Sequence, residues 1–171
     1  TTGLGYLSVP AGASAAQPVP AMVILPGSGG ISPGREEEYA KLLNRHGIAA
    51  FIVEYYEPRG MTSDFSYMLR SGSVTEFDIV TDAYSALKLL STSPAIDPKR
   101  IGVMGFSAGG EVVAMLVYNP TGGDSAATDP VERMNCRADF QISIYPGPVG
   151  IPDEIPADVP PAFFLVANDD R

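Results

Sequence analysis

The most specific chemical signal in the sequence is a serine held between two glycines. Gly105, Ser107 and Gly109 fit the pattern G-x-S-x-G, which here follows an apolar strand and opens a predicted helix. Such a turn strains the serine backbone and exposes the hydroxyl at a helix N-terminus, where the helix dipole favours negative charge. We therefore predict that Ser107 is a nucleophile that attacks a carbonyl carbon. The alternative is a turn of small residues that only lets a helix pack closely on a strand.

A serine that attacks a carbonyl needs N–H donors for the negative oxygen that forms. One donor is predicted at Ala108, the residue after the serine. The second is predicted in the glycine-rich loop 26–30, at the amide of Ser28 or Gly29, because glycines let the backbone approach a ligand closely. The alternatives are a plain turn or a phosphate-binding loop, but the spacings GxxxxGK[ST] and GxGxxG are both absent.

An acid and a base should complete this arrangement. Asp169 and Asp170 follow the last predicted strand, and we predict that Asp170, or failing that Asp169, orients a histidine. Taken alone, such a pair is more typical of a solvated turn. The single histidine, His46, precedes Ser107 and ends a predicted helix, so it is not the expected base. The catalytic histidine is therefore expected outside this chain.

Short apolar strands alternate with helices along the sequence, which is typical of a mostly parallel sheet covered by helices. The predicted strands are 21–25, 48–55, 101–106, 140–145 and 162–166, and the predicted helices are 35–46, 74–91 and 108–118. Residues 57–72 are predicted as a long loop and 94–100 as a turn. Sites in such sheets lie at the carboxyl ends of the strands, where Ser28, Ser107 and Asp170 are placed.

The longest predicted helix, 74–91, has two further signals. Ser73 and Glu76 fit a capping box at its start. Its expected apolar face is Phe77, Val80, Ala83, Tyr84, Leu87 and Leu90.

Length and composition narrow the classes of protein and partner. A chain of 171 residues with 45% hydrophobic and 18% charged residues is typical of one folded domain. Its net charge of −9 would repel a phosphate backbone, and no apolar run approaches the roughly 20 residues that span a bilayer, so neither nucleic acid nor a membrane is an expected partner. One cysteine, Cys136, and one histidine exclude an internal disulfide and a histidine-rich metal site.

These residues resemble the α/β-hydrolase superfamily, and specifically its dienelactone hydrolase and small acetyl esterase branch. The stretches that carry the resemblance are REEEYAKLLNRHGIAAFIVEYYEPRGM, SVTEFDIVTDAYSALKLL, DPKRIGVMGFSAGG and PPAFFLVANDD. The resemblance implies the α/β-hydrolase fold, Ser107 as nucleophile, Ser28 and Ala108 as oxyanion donors and Asp170 as acid. It implies a small-molecule ester as substrate, with acetylated carbohydrates as one class, and neither a metal nor an organic cofactor.

The sequence departs from the family pattern at three places. Pro26-Gly27 stands where many relatives have His-Gly, and Ser107 stands where dienelactone hydrolases proper have a cysteine. The family's last strand, histidine loop and closing helix are not in this chain. We therefore expect one α/β-hydrolase domain over 1–171 that is a fragment of a longer chain and associates with the missing C-terminal segment or oligomerises.

Two other functions are also compatible with the sequence. A lactone hydrolase or peptidase of the same fold would use the same serine. A non-catalytic hydrolase-like binding protein would lack the base altogether.

Overall fold

The fold is built on one mostly parallel sheet, seen in a computed structural model that describes residues 4–62, 64–120, 122–129, 132–133, 135 and 137–168. Within these residues the sheet has six strands in the order β1-β3-β2-β4-β5-β6, and only β1 runs antiparallel to its neighbour. The strands are β1 (Gly5–Ser8), β2 (Val19–Leu25), β3 (Ala49–Val53), β4 (Ile96–Phe106), β5 (Gln141–Ile144) and β6 (Ala162–Leu165). The predicted sheet architecture is confirmed.

Helices cover both faces of this sheet. They are α1 (Arg35–Arg45), α2 (Tyr67–Ser73), α3 (Glu76–Ser91) and α4 (Ala108–Tyr118), and a short 3-10 helix spans Glu57–Arg59. Three acidic residues in the first turn of α1 favour its start through the helix dipole. None of the helices in the described ranges is long and apolar enough to cross a bilayer.

Alternate residues of β2 point to opposite faces and join two separate apolar clusters. Val23 and Leu25 pack with Leu90 of α3 and Val112 of α4, whereas Ile24 packs with Ala40 of α1. The central strands are therefore buried on both sides, as continuous apolar runs such as AMVIL predict. This burial holds the carboxyl ends of β2 and β4 in fixed positions next to each other.

The prediction of a long loop over 57–72 is wrong in part, because α2 and the 3-10 helix lie inside it. The side chain of Ser66 caps α2 by accepting from the Leu69 N–H at 3.3 Å. No helical period marks α2 in the sequence, since Tyr67, Met68 and Leu69 are all exposed. Its position depends on contacts with a distant turn, described below.

The strands β1 and β4 also differ from the prediction. The sequence analysis missed β1, an edge strand of four residues that pairs only with β3. The predicted turn at 94–100 overlaps β4, which starts at Ile96. Ile96 lies opposite Val19, but Ile101 lies opposite Ala21, so the extra residues of β4 bulge out and accommodate Pro98.

The start and the buried face of α3 need correction as well. The capping box is formed by Thr75 and Asp78, each accepting from the other's backbone N–H, rather than by Ser73 and Glu76. Phe77, expected on the apolar face, is 74% exposed. The buried residues are Ile79, Asp82, Ala83, Ala86 and Leu90. Asp82 obscures this face in the sequence, because its charge is buried against Arg59 at 2.7 Å.

Candidate active site

Ser107 occupies a sharp turn between β4 and α4. Its backbone has φ 53° and ψ −120°, in the left-handed half of the map that residues other than glycine rarely adopt. A side chain at Gly105 would collide with the carbonyl of Gly109, and one at Gly109 would collide with the carbonyl of Leu25. Only glycines fit on either side, which is the strained strand-turn-helix that the sequence motif predicts.

The main chain of Ser107 is held from two sides. Its N–H donates to the Ile144 carbonyl at the end of β5 at 2.9 Å, and its carbonyl accepts from the Glu111 N–H at 3.0 Å. The residue itself is exposed, although β4 beneath it is buried. The structure thus presents the hydroxyl of Ser107 at the carboxyl edge of the sheet. Ala108 follows as the first residue of α4, where backbone N–H groups have no partner inside the helix.

The glycine-rich loop 26–30 lies directly against Ser107. A Cβ atom at Gly27 would be 3.2 Å from the Cβ of Ser107 and 3.8 Å from its Oγ. The Gly30 N–H donates to the Gly27 carbonyl at 2.9 Å and closes the turn. The structure therefore brings Ser28, Ala108 and Ser107 into one region, as the sequence analysis expected. We call residues 26–30 the oxyanion turn, after the role that the sequence analysis predicts for them.

Three tyrosine hydroxyls surround the oxyanion turn, and the sequence analysis assigned no role to any of them. Tyr55 donates to the Pro26 carbonyl at 3.1 Å, Tyr56 donates to the Ser28 carbonyl, and the hydroxyls of Tyr67 and Ser28 are 2.9 Å apart. The carbonyls of Pro26, Gly27 and Ser28 are therefore engaged, whereas the Ser28 and Gly29 amides donate to no other described residue. These two amides stay available for a ligand. The signal that could have found two of the tyrosines is their position, directly after a buried strand.

Burial keeps the first two hydroxyls in their donating form. Desolvation raises the pKa of the Tyr55 phenol well above its usual value, and the negative charge of Asp82 adds to this. Desolvation also raises the pKa of Tyr56, although the positive charge of Arg70 acts in the opposite direction. Both groups therefore stay protonated and donate at neutral pH.

An acidic residue on the first turn of α4 also faces this region. The carboxylate of Glu111 lies against Gly147, in the loop that follows β5, so closely that a side chain at Gly147 would require Glu111 to move. Desolvation raises the pKa of Glu111 and Glu76 adds to the rise, whereas a hydrogen bond from the Val149 backbone opposes it. The loop begins at Tyr145, a second non-glycine residue with positive φ, 51°.

The remaining predicted residues are not part of the described site. Asp169, Asp170 and Cys136 lie outside the described residues. His46 ends α1 just before β3 begins, at the amino edge of the parallel strands, and so lies at the opposite edge of the sheet from Ser107. The described ranges contain no cluster of three or more ligand residues that could hold a metal ion.

Comparison with known proteins places this geometry in a family. Residues 5–128 match the model of the dienelactone hydrolase family. No match is found among curated protein sequences. A similar solved structure is the acetyl ester-xyloside bifunctional hydrolase from Caldicellulosiruptor lactoaceticus, with 29% identity and a TM-score of 0.58 over 85% of this chain and 50% of that one.

Structures of Thermogutta terrifontis esterase 2 are similar in fold. The form phosphonylated by cyclosarin has 20% identity and a TM-score of 0.62, over 93% of this chain and 63% of the esterase. The propionate-bound form has 23% identity and a TM-score of 0.58, over 82% and 48%. The chain thus spans between 48% and 63% of the length of these three structures. With its strained serine turn, its mostly parallel sheet and the match over residues 5–128, this chain has the α/β-hydrolase fold and belongs to the dienelactone hydrolase family.

Proposed function

We propose that this chain carries the nucleophile of a serine carboxylic ester hydrolase that forms an acyl-enzyme on Ser107. The observation that carries the proposal is the contact between two strained or tight turns. The backbone of Ser107 is held at φ 53°, and the oxyanion turn lies against it, since a Cβ at Gly27 would be 3.2 Å from the Cβ of Ser107. A nucleophile and free amide donors at one place are what acyl transfer requires.

The reaction would proceed in two balanced halves. The Oγ of Ser107 bonds to the acyl carbon while its proton passes to a histidine, and the Ser28 and Ala108 amides donate to the resulting oxyanion. Collapse breaks the ester C–O bond, and the histidine returns the proton to the leaving alcohol. Water then attacks the acyl-enzyme with the same histidine as base, which releases the acid and restores Ser107. Asp170 is proposed to orient that histidine.

The proposed substrates are small carboxylic esters, with acetylated carbohydrates as one class. The structure from Caldicellulosiruptor lactoaceticus is that of a hydrolase of acetyl esters and xylosides, and the Thermogutta esterase has been solved with propionate bound. Both names support short acyl groups. We propose no metal or organic cofactor, because the mechanism above uses amides, a hydroxyl, an imidazole and a carboxylate only.

We further propose that the chain is part of one longer hydrolase domain whose remaining segment supplies the histidine and covers β6. All four residues of β6 are exposed, with Phe163 at 57% and Phe164 at 44%. Within the described residues, β6 pairs with β5 on one side and with no strand on the other. An apolar edge strand of this kind is normally paired or covered. Nucleic acid and membranes are not proposed partners, given the net charge of −9.

The test is ester hydrolysis by the complete protein with and without the Ser107 hydroxyl. We expect Ser107→Ala to lower kcat for 4-nitrophenyl acetate by at least about a thousandfold, as for other members of catalytic triads. Ser85→Ala is a matched control, because it removes an exposed serine hydroxyl on α3 that donates only to the Thr81 carbonyl. Unchanged hydrolysis by Ser107→Ala would exclude this function, whereas no hydrolysis by the wild-type protein would favour a non-catalytic binding protein.

A further inference from the structure

A short exposed helix contacts the oxyanion turn. Tyr67, the first residue of α2, places its hydroxyl 2.9 Å from the hydroxyl of Ser28, which is 39 residues away in sequence. The edge of its ring is 3.8 Å from the position that a Cβ would take at Gly29. The ring therefore lies over the two residues whose amides are the candidate oxyanion donors.

One helical turn later, Arg70 supports the same region through a second tyrosine. Its guanidinium carbon is 5.2 Å from the centre of the Tyr56 ring, within the range of a cation–π interaction. Gly30, with φ 80°, approaches the same ring, so that a Cβ there would be 3.0 Å from it. Tyr56 is 3% exposed and donates to the Ser28 carbonyl. Arg70 thus holds Tyr56 against the turn.

Two polar groups of Ser28 are therefore fixed by residues on or next to α2. The side-chain hydroxyl contacts Tyr67 and the carbonyl contacts Tyr56. The third polar group, the N–H, donates to no other described residue. The Ser28 N–H shares its peptide plane with the Gly27 carbonyl, which accepts from the Gly30 N–H at 2.9 Å. Holding the Ser28 side chain and carbonyl as well therefore restrains the direction of that N–H.

We propose that Tyr67 is a positioning residue that orients the Ser28 amide toward the oxyanion formed at Ser107. The proposal rests on the proposed function, since it requires that amide to be an oxyanion donor. An oxyanion donor acts more strongly on the transition state than on the bound ester. Loss of the Tyr67 hydroxyl therefore lowers kcat and leaves KM nearly unchanged, whereas a role in binding the substrate would raise KM.

The kinetic test is a double-mutant cycle in the complete protein between the two hydroxyls. Tyr67→Phe and Ser28→Ala each remove one partner of the same hydrogen bond and keep the backbone amide. We expect each to lower kcat by about 3- to 10-fold, the effect of one hydrogen bond, and the double variant to lower it no further. Met68→Ala is the matched control, because Met68 is the neighbouring residue on α2, is 82% exposed and should leave kcat unchanged. A wild-type kcat in Tyr67→Phe, or a double variant whose loss is the product of the single losses, overturns the proposal.

A second measurement tests, without any catalysis, whether Tyr67 restrains the oxyanion turn. Amide hydrogen exchange is followed by mass spectrometry in a peptide that covers residues 25–31. We expect exchange there to be several-fold faster in Tyr67→Phe than in wild type or Met68→Ala. Equal exchange in all three proteins overturns the proposal even if Ser107 is essential. Faster exchange together with full activity of Ser107→Ala would instead show that Tyr67 restrains the oxyanion turn and that the proposed function has failed.

Discussion

The two halves of the sheet, the one around Ser107 and the one that ends at β6, differ in how well the described residues cover them. We call these halves its two sides. Around Ser107, the strands β2, β3 and β4 are covered on both faces, and Leu25, Val53 and Val112 are fully buried. On the other side, every residue of β6 is exposed. The geometry of the proposed nucleophile therefore depends on contacts inside this chain, whereas the proposed acid follows a strand that lacks such support. A strained turn persists only where its surroundings over-determine it, and only the first side has those surroundings.

The largest expected effect comes from adding one methyl group beside Ser107. In Gly105→Ala the new Cβ would collide with backbone atoms of Gly109 and Gly110, which cannot move without displacing α4. We expect a loss of at least about 3 kcal/mol in the free energy of unfolding, measured by denaturant titration. Gly122→Ala is the control, because no residue that the structure describes lies within 4 Å of a Cβ there. A loss below about 1 kcal/mol in Gly105→Ala would show that the turn is less tightly determined than we describe.

The next prediction sharpens the contrast between the two sides in the complete protein. Leu90→Ala, in the fully buried core between α3 and the sheet, should cost about 3 kcal/mol of unfolding free energy. Phe164→Ala should cost a similar amount if another segment covers β6, although Phe164 is 44% exposed in this chain. Thermal and denaturant unfolding of the two variants gives the comparison. A cost below about 1 kcal/mol for Phe164→Ala, typical of an exposed site, would contradict the proposed covering segment.

The smallest expected effect is a pH dependence at the boundary between the two sides. The pKa of Glu111 is raised in the folded protein, so ionisation is less favourable there than in the unfolded chain. This group therefore opposes folding progressively as the pH rises through its usual pKa of 4.5 and beyond. In Glu111→Gln the fall in unfolding free energy that this group causes at higher pH should disappear, whereas the unfolding free energy below pH 4.5 should change less. Unfolding free energies at several pH values test this, and an identical pH profile in the variant would contradict it.

How much of this could be predicted from the sequence depends on whether a feature is local. The strand ending at Leu25, the helix starting at Ala108 and the serine turn carry their patterns within a few residues, and the structure has them where they were predicted. The strand β1 could not be predicted, because four residues without an apolar period become a strand only by pairing with β3. The helix α2 was missed for the same physical reason.

The candidate site divides in the same way. Ser107 and the oxyanion turn follow from glycine patterns that force local backbone shapes. The tyrosines that hold the turn are separated from it in sequence by 28 to 39 positions. No local pattern predicts which group of the turn such a distant phenol will contact. Asp82 caused a different error. It is a charged residue that is buried against Arg59, so the sequence pattern did not place it on the buried face of α3.

The most direct test of the central claim is covalent labelling of the complete protein with a fluorophosphonate. The Oγ of Ser107 would bond to phosphorus, its proton would pass to the histidine, and fluoride would leave. We predict one added phosphonyl group per chain, located at Ser107 by peptide mass spectrometry and absent in Ser107→Ala. Labelling at another residue, or equal labelling of Ser107→Ala, would contradict the claim that this turn presents the nucleophile.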